Sequence, residues 1–218
     1  MNERLDRTTI ALRAARELKG GEYVNLGYGM PGLVSLLIPE GEETPIFHGE
    51  NGILGFGRVL GEDDIRKADI DLINGASQYV EPKLGMCFFD MSTAFGMMRG
   101  GHLDTTILGA YEVSERGDLS NCMTPNVEAP RVGGAMDLAY GAKRVIVTMY
   151  HTESDGKPKI VKKCNYPLTA KKCVSLIVTD VAVIEVTPIG LLLKEYCPGW
   201  TVDDIQSITE PKLRISKD

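Results

Sequence analysis

The sequence predicts an α/β fold, a mixed and mainly parallel sheet sandwiched by helices, and three observations carry that prediction. A short apolar stretch, Tyr23 to Leu26, enters the glycine turn Gly27-Tyr28-Gly29-Met30-Pro31-Gly32 and then an apolar helix, the β-loop-α unit of such sheets. Near-continuous runs such as Val145-Ile146-Val147 and Leu176-Ile177-Val178 suit strands buried on both faces. Helical patterns alternate with these strands, without a repeat, low-complexity tract or long linker, so the 218 residues read as one domain, 1–218.

In chain order, Arg4 to Leu18 spaces Leu5, Ile10, Leu12, Ala14, Ala15 and Leu18 among charges, a helix closed by Gly20-Gly21. After the first strand, Leu33 to Leu37 forms the second helix. Further strands are expected at Pro45 to His48, Ile70 to Ile73, Thr105 to Leu108, Arg144 to Met149, Leu176 to Thr179 and Val181 to Val186. Helices are expected at Ser92 to Met98, Ala135 to Tyr140 and Thr201 to Ser207, the last capped by Thr201 with Asp204 three residues on. Ile107 to Ala110 and Tyr111 to Leu119 suggest an antiparallel hairpin around Glu115-Arg116-Gly117-Asp118.

Composition excludes several classes. The net charge is −6 and no Lys/Arg block exceeds two residues, which argues against a nucleic-acid surface. An anionic ligand stays compatible with that charge, because anion sites are built locally from backbone amides. No apolar run approaches the ~18 residues of a membrane span, and the charged start Met1 to Arg7 is followed by no signal-type segment. Five cysteines without a C-x-x-C fit neither a disulfide framework nor a zinc site, and a reducing cytoplasm is the simpler setting. The three histidines, His48, His102 and His151, lack metal-ligand spacing, so no metal is expected.

The most unusual stretch is His48-Gly49-Glu50-Asn51-Gly52-Ile53-Leu54-Gly55-Phe56-Gly57, a carboxylate among glycines directly after a strand. Such glycines permit positive φ and let a ligand approach the backbone. The same residues also fit a surface turn with a solvated Glu50, since Asn-Gly is a common turn signal. Gly27-Tyr28-Gly29 lacks the third glycine of a dinucleotide fingerprint and the GK[ST] of a P-loop. Gly133-Gly134 opens the helix near Ala135, where unpaired amide N–H groups could face an oxyanion.

Taken together, the blocks resemble the B-type chain of the family I CoA-transferases, the 3-oxoacid and acetoacetate/butyrate type. They run collinearly over nearly the whole chain: Val24 to Pro31, Glu50 to Gly55, Met98 to His102, Gly133 to Leu138, Tyr166 to Ala170 and Val183 to Val186. The resemblance implies a CoA-transferase fold, transfer between short-chain acids, and Glu50 as the nucleophile that becomes a glutamyl-CoA thioester. By the same resemblance, Gly133, Gly134, Asn51 and Gly52 belong to the oxyanion pocket, and Asn25, Gly27, Gly29 and Ser77 to the substrate and CoA contacts. It implies no cofactor beyond the substrate coenzyme A. It also implies a partner, the A-type chain of these enzymes, in a heterotetramer or larger hetero-oligomer. Gly49 replaces the family's usual serine, Ser77 stands where some members carry lysine, Pro125 to Glu128 replaces a Pro-Gly-Lys-Met loop, and Arg131 replaces a glycine. The competing readings are a CoA-thioester hydrolase or lyase on the same fold, and a non-catalytic structural subunit.

Overall fold

The computed structural model of the chain describes residues 3–39, 41, 44–61, 64, 66, 68–125, 129 and 133–215. Its strands are β1 (Tyr23–Leu26), β2 (Ile46–Gly49), β3 (Ile53–Leu54), β4 (Cys87–Phe88), β5 (Thr105–Gly109), β6 (Glu112–Ser114) and β7 (Leu119–Ser120). They continue with β8 (Arg144–Thr148), β9 (Ile160–Val161), β10 (Val174–Val178), β11 (Ala182–Thr187), β12 (Gly190–Tyr196) and β13 (Leu213–Ile215). The helices are α1 (Arg7–Ala15), α2 (Val34–Leu37), α3 (Met91–Arg99), α4 (Ala135–Gly141) and α5 (Val202–Ser207).

Ten strands form one sheet in the order β13-β12-β11-β10-β8-β5-β1-β2-β3-β4. Its centre, β10-β8-β5-β1-β2, is parallel throughout, and antiparallel pairs flank it at β10-β11-β12 and β2-β3-β4. A mixed, mainly parallel sheet between helices is therefore what the sequence forms. The central strands alternate between two cores with period two: Ile107, Ile146, Leu176 and Val178 pack under α1 and α2, whereas Leu108, Val145, Val147 and Ile177 pack under α3 and α4. Both faces are buried, which is why these strands read as unbroken apolar runs.

Helix starts follow local chemistry. Asp6 caps α1 by accepting from Thr9 N at 2.7 Å, so the helix begins at Arg7 and not at Arg4. Thr201 and Asp204 form a reciprocal capping box on α5. Pro31–Leu33 is a 3₁₀ turn leading into α2.

Two expectations fail. Ile70 to Ile73 is a turn and not a strand: Asp69 Oδ1 accepts from Asp71 N, Ile70 is exposed, and only Ile73 makes an isolated bridge, to Tyr79. Two aspartates flanking so short an apolar run favour the local side-chain turn over a ladder. The hairpin around Glu115 to Asp118 forms, but its strands are β6 and β7; Ile107 to Gly109 belongs to β5 in the large sheet. β6 also pairs with β9, giving a separate three-stranded sheet.

Candidate active site

β2 ends at Gly49, and the chain reverses through Glu50 and Asn51 into antiparallel β3, closed by Gly52 N donating to Gly49 O at 3.0 Å. Gly52 has φ +101°, and a Cβ there would strike the carbonyl of Phe89, whose N–H donates back to Gly52 O at 2.9 Å. Only glycine fits. A Cβ on Gly49 would lie 2.6 Å from both Asn51 Oδ1 and Ile53 Cγ2, so the residue that departs from the family's serine is also the one this turn accommodates.

A second loop buttresses the first. Asn51 Nδ2 donates to Ile73 O at 2.6 Å, and Asn74 Oδ1 accepts from Ala76 N and Gln78 N at 2.9 and 3.0 Å. This folds residues 74–78 against Glu50: a Cβ on Gly75 would sit 3.2 Å from Glu50 Cγ. Ser77 takes φ +60° in this turn and is the one residue of 74–78 that lines neither cavity beside Glu50.

The third loop precedes α4. Gly134 N donates to Glu50 Oε2 at 2.8 Å. Gly134 is the N-terminal cap residue of α4 and brings no side-chain cap of its own, so the Glu50 carboxylate satisfies an amide the helix leaves unpaired. A Cβ on Gly134 would collide with Oε2, and one on Gly133 would lie 3.7 Å from Oε1. Gly75, Gly133 and Gly134 thus clear the backbone around a single carboxylate. Asn126 to Glu128 and Arg131 lie outside the described residues.

Glu50 borders a cavity of about 360 Å³ shared with Gly27, Tyr28, Gly109, Gly133, Gly134, Thr148 and Lys159. Gly27 follows β1, Gly109 ends β5 and Thr148 ends β8, so the cavity opens at the carboxyl ends of adjacent parallel strands, where open α/β sheets bind ligands. Gly29 does not line it; with φ +86° it turns the chain beside Arg7.

Asn25 lies below this arrangement. It is buried, its Nδ2 donates to His48 O at 3.0 Å, and it lines the small cleft behind Glu50 with Asn74 and Gly75. Burial pushes the His48 pKa down to about 4, so the imidazole is neutral at pH 7. Burial raises the Cys164 and Cys173 thiols to about 12, so neither supplies a thiolate at neutral pH.

The structure brings Glu50, Asn51, Gly52, Gly133 and Gly134 together, with Gly27 in the shared cavity and Asn25 beneath. It adds three residues that the sequence pattern does not single out: Gly75, Thr148 and Lys159. Gly75 has a visible signal, a glycine after Asn74 in a turn. Lys159 follows Gly156-Lys157-Pro158, which reads as solvated surface.

The sequence around this carboxylate belongs to a longer stretch that matches a known family. The coenzyme A transferase family pattern matches residues 7–207, and the chain belongs to that family, enzymes that transfer CoA. It is 45% identical to the B-type chain of the 3-oxoadipate CoA-transferase of Pseudomonas putida over 212 residues, 96% of each chain. It is 47% identical to human mitochondrial succinyl-CoA:3-ketoacid coenzyme A transferase 2 over 96% of this chain, which spans 40% of that longer protein. Among solved structures, the apo acyl-CoA transferase of Escherichia coli O157:H7 superposes with TM-score 0.77 at 22% identity. That match covers 98% of this chain and 42% of the larger one, and bears on the fold alone. Among the described residues, no helix is long and apolar enough to cross a membrane.

Proposed function

We propose that the chain is the catalytic subunit of an acyl-CoA:carboxylate CoA-transferase and that Glu50 is its nucleophile. The observation that supports this reading is the 2.8 Å hydrogen bond from Gly134 N to Glu50 Oε2 inside a cavity walled by glycine. The ionised carboxylate attacks the thioester carbonyl of an acyl-CoA; the C–S bond breaks and CoA leaves as thiolate, giving an acyl-glutamyl anhydride. The thiolate then attacks the glutamyl carbonyl, the first acid departs as carboxylate, and Glu50 holds CoA as a thioester. The incoming acid reverses both steps. No proton has to move, which suits a site whose nearest imidazole, His48, is buried and neutral.

The Gly134 amide, already aligned on Oε2, is the donor for the oxyanion that develops as the glutamyl carbonyl is attacked. The relatives' names support a second chain, of the A type, that completes the site. Their names also support adding succinate and 3-oxoadipate to acetoacetate, itself a 3-oxo acid, and butyrate among the acids to be assayed. The test is to purify the chain with its A-type partner and assay short acyl-CoAs against several carboxylates. Transfer that requires Glu50 supports the reading. Full activity in Glu50→Ala, or hydrolysis without transfer, contradicts it.

A further inference from the structure

Gly134 N is the donor on which the proposed chemistry at Glu50 turns, yet the helix it begins, α4, is seven residues long and has no side-chain cap. So short a helix does not hold its own position. Its neighbour α3 does. Leu138 and Ala139 of α4 share a buried core with Met98 of α3. A Cβ on Gly141 would strike the Met98 carbonyl, so the two helices meet backbone to backbone at the end of α4. Near the solvent, Asp137 in the first turn of α4 accepts from Arg99 Nε at 2.6 Å.

Phe95 serves the other end of that contact. It is half-buried, one helical turn before Arg99, and the Arg99 guanidinium lies 5.6 Å from its ring centroid. Its ring tip points at Gly134: a Cβ built there would lie 3.5 Å from Phe95 Cζ and would overlap Glu50 Oε2. A single methyl-sized spot is therefore bounded by the Gly134 backbone, by the carboxylate oxygen that Gly134 binds, and by the edge of an aromatic ring. A ring edge is the positive part of the quadrupole, so it suits an ionised carboxylate while offering it no competing hydrogen bond.

We infer that Phe95 is a positioning residue for CoA transfer: its ring edge backs the spot beside Gly134 and keeps Glu50 Oε2 on the Gly134 N–H. The Arg99–Asp137 pair braces the same α3–α4 contact. This deepens the transferase reading and rests on it. Phe95 acts by fixing one donor–acceptor pair, so its replacement lowers turnover and not substrate binding.

The test compares the complex with the A-type partner and its Phe95→Leu, Phe95→Tyr and Gly134→Ala variants, together with the two double variants. Leucine keeps apolar packing on α3 but falls short of Gly134. Tyrosine keeps the ring and carries an oxygen on Cζ into the spot that Oε2 borders. Each single Phe95 variant is expected to lower kcat by about 10-fold, a fraction of the loss on removing the donor itself, with KM for the acyl-CoA within about twofold. Thermal unfolding of Phe95→Tyr should stay near wild type, which separates misalignment from misfolding. Combined with Gly134→Ala, where the pair is already broken, either Phe95 change should cost less than about twofold more. Losses that multiply, a raised KM with kcat intact, or wild-type kcat in both Phe95 variants overturn the inference. Borohydride trapping of the wild-type thioester distinguishes this from the reading beneath it. Any of those outcomes with Glu50 trapped removes the role of Phe95 alone, whereas CoA transfer by a wild type with unmodified Glu50 removes both.

Discussion

Glu50 and Glu112 are both acidic side chains drawn into the fold, and they are treated in opposite ways. Glu112 is only 5% exposed on β6, where Asn165 N, Asn165 Nδ2 and Tyr166 N approach its carboxylate at 2.6, 2.9 and 3.3 Å. Every lone pair that matters is engaged, and the small sheet β7-β6-β9 is tied to the loop at Asn165 in return. Glu50 receives one backbone donor, Gly134, and otherwise faces glycines and a cavity. A carboxylate saturated with donors is a brace. One held by a single donor beside a cavity keeps lone pairs unengaged, as the proposed nucleophilic role requires.

The largest way to break this contrast is to neutralise Glu50, the proposed nucleophile. Glu50→Gln keeps the side-chain shape and should lower transfer by at least about 10⁴-fold. Thermal unfolding of the complex should change little, because Glu50 contributes one hydrogen bond to the described structure. Gly134→Ala comes next. Its Cβ would occupy the place of Oε2, so the carboxylate must leave its donor; transfer should fall by about 10²–10³-fold, the usual effect of losing one oxyanion donor, without loss of fold.

The converse substitution, Glu112→Ala, should cost about 1–3 kcal/mol of stability by removing a buried acceptor of three hydrogen bonds from Asn165 and Tyr166, measured by denaturant unfolding. The folded fraction should retain its kcat. A selective loss of kcat there, with stability intact, would dissolve the distinction between the two carboxylates.

The smallest expected effect is on pH dependence, and it tests the histidines beside each region. His48 lies under Glu50, and His151 O receives Lys159 N near β9; both rings are buried, with pKa lowered to about 4 by desolvation. Their folded-state pKa lies below the unfolded value, so the unfolded chain binds the proton first. Stability from their burial is complete above about pH 6.5 and is lost as pH falls toward 4, by up to about 1.4 kcal/mol per pH unit for each ring. Both nitrogens of the His151 ring meet threonine hydroxyls, Thr179 and Thr209, whereas His48 Nε2 has no partner. Unfolding between pH 7 and 5 should thus be blunted in His48→Gln relative to wild type.

Much of the fold was legible because the central strands are buried on both faces, and unbroken Val/Ile/Leu runs have few other uses. β12 is hidden in the sequence because its apolar start, Leu191 to Leu193, turns into the exposed pair Lys194-Glu195 and the pattern breaks mid-strand. Glu50 stood out through its glycines, but what those glycines clear could not be read locally. Its donor Gly134 is 84 residues away, and the buttress at Gly75 reaches it only through the fold. Lys159 was illegible for the opposite reason: a lysine near glycine, proline and another lysine looks solvated, and only the packing of β9 and the end of β8 draws it inside.

The most direct test of the central claim is to trap Glu50 in the act. The complex with the A-type partner is incubated with succinyl-CoA or acetoacetyl-CoA without acceptor acid, treated with borohydride, and its peptides are analysed by mass spectrometry. A glutamyl-CoA thioester predicts Glu50 reduced to the alcohol, with transfer activity lost in proportion, and Glu112 untouched. An unmodified Glu50 in a complex that still exchanges CoA would contradict the assignment.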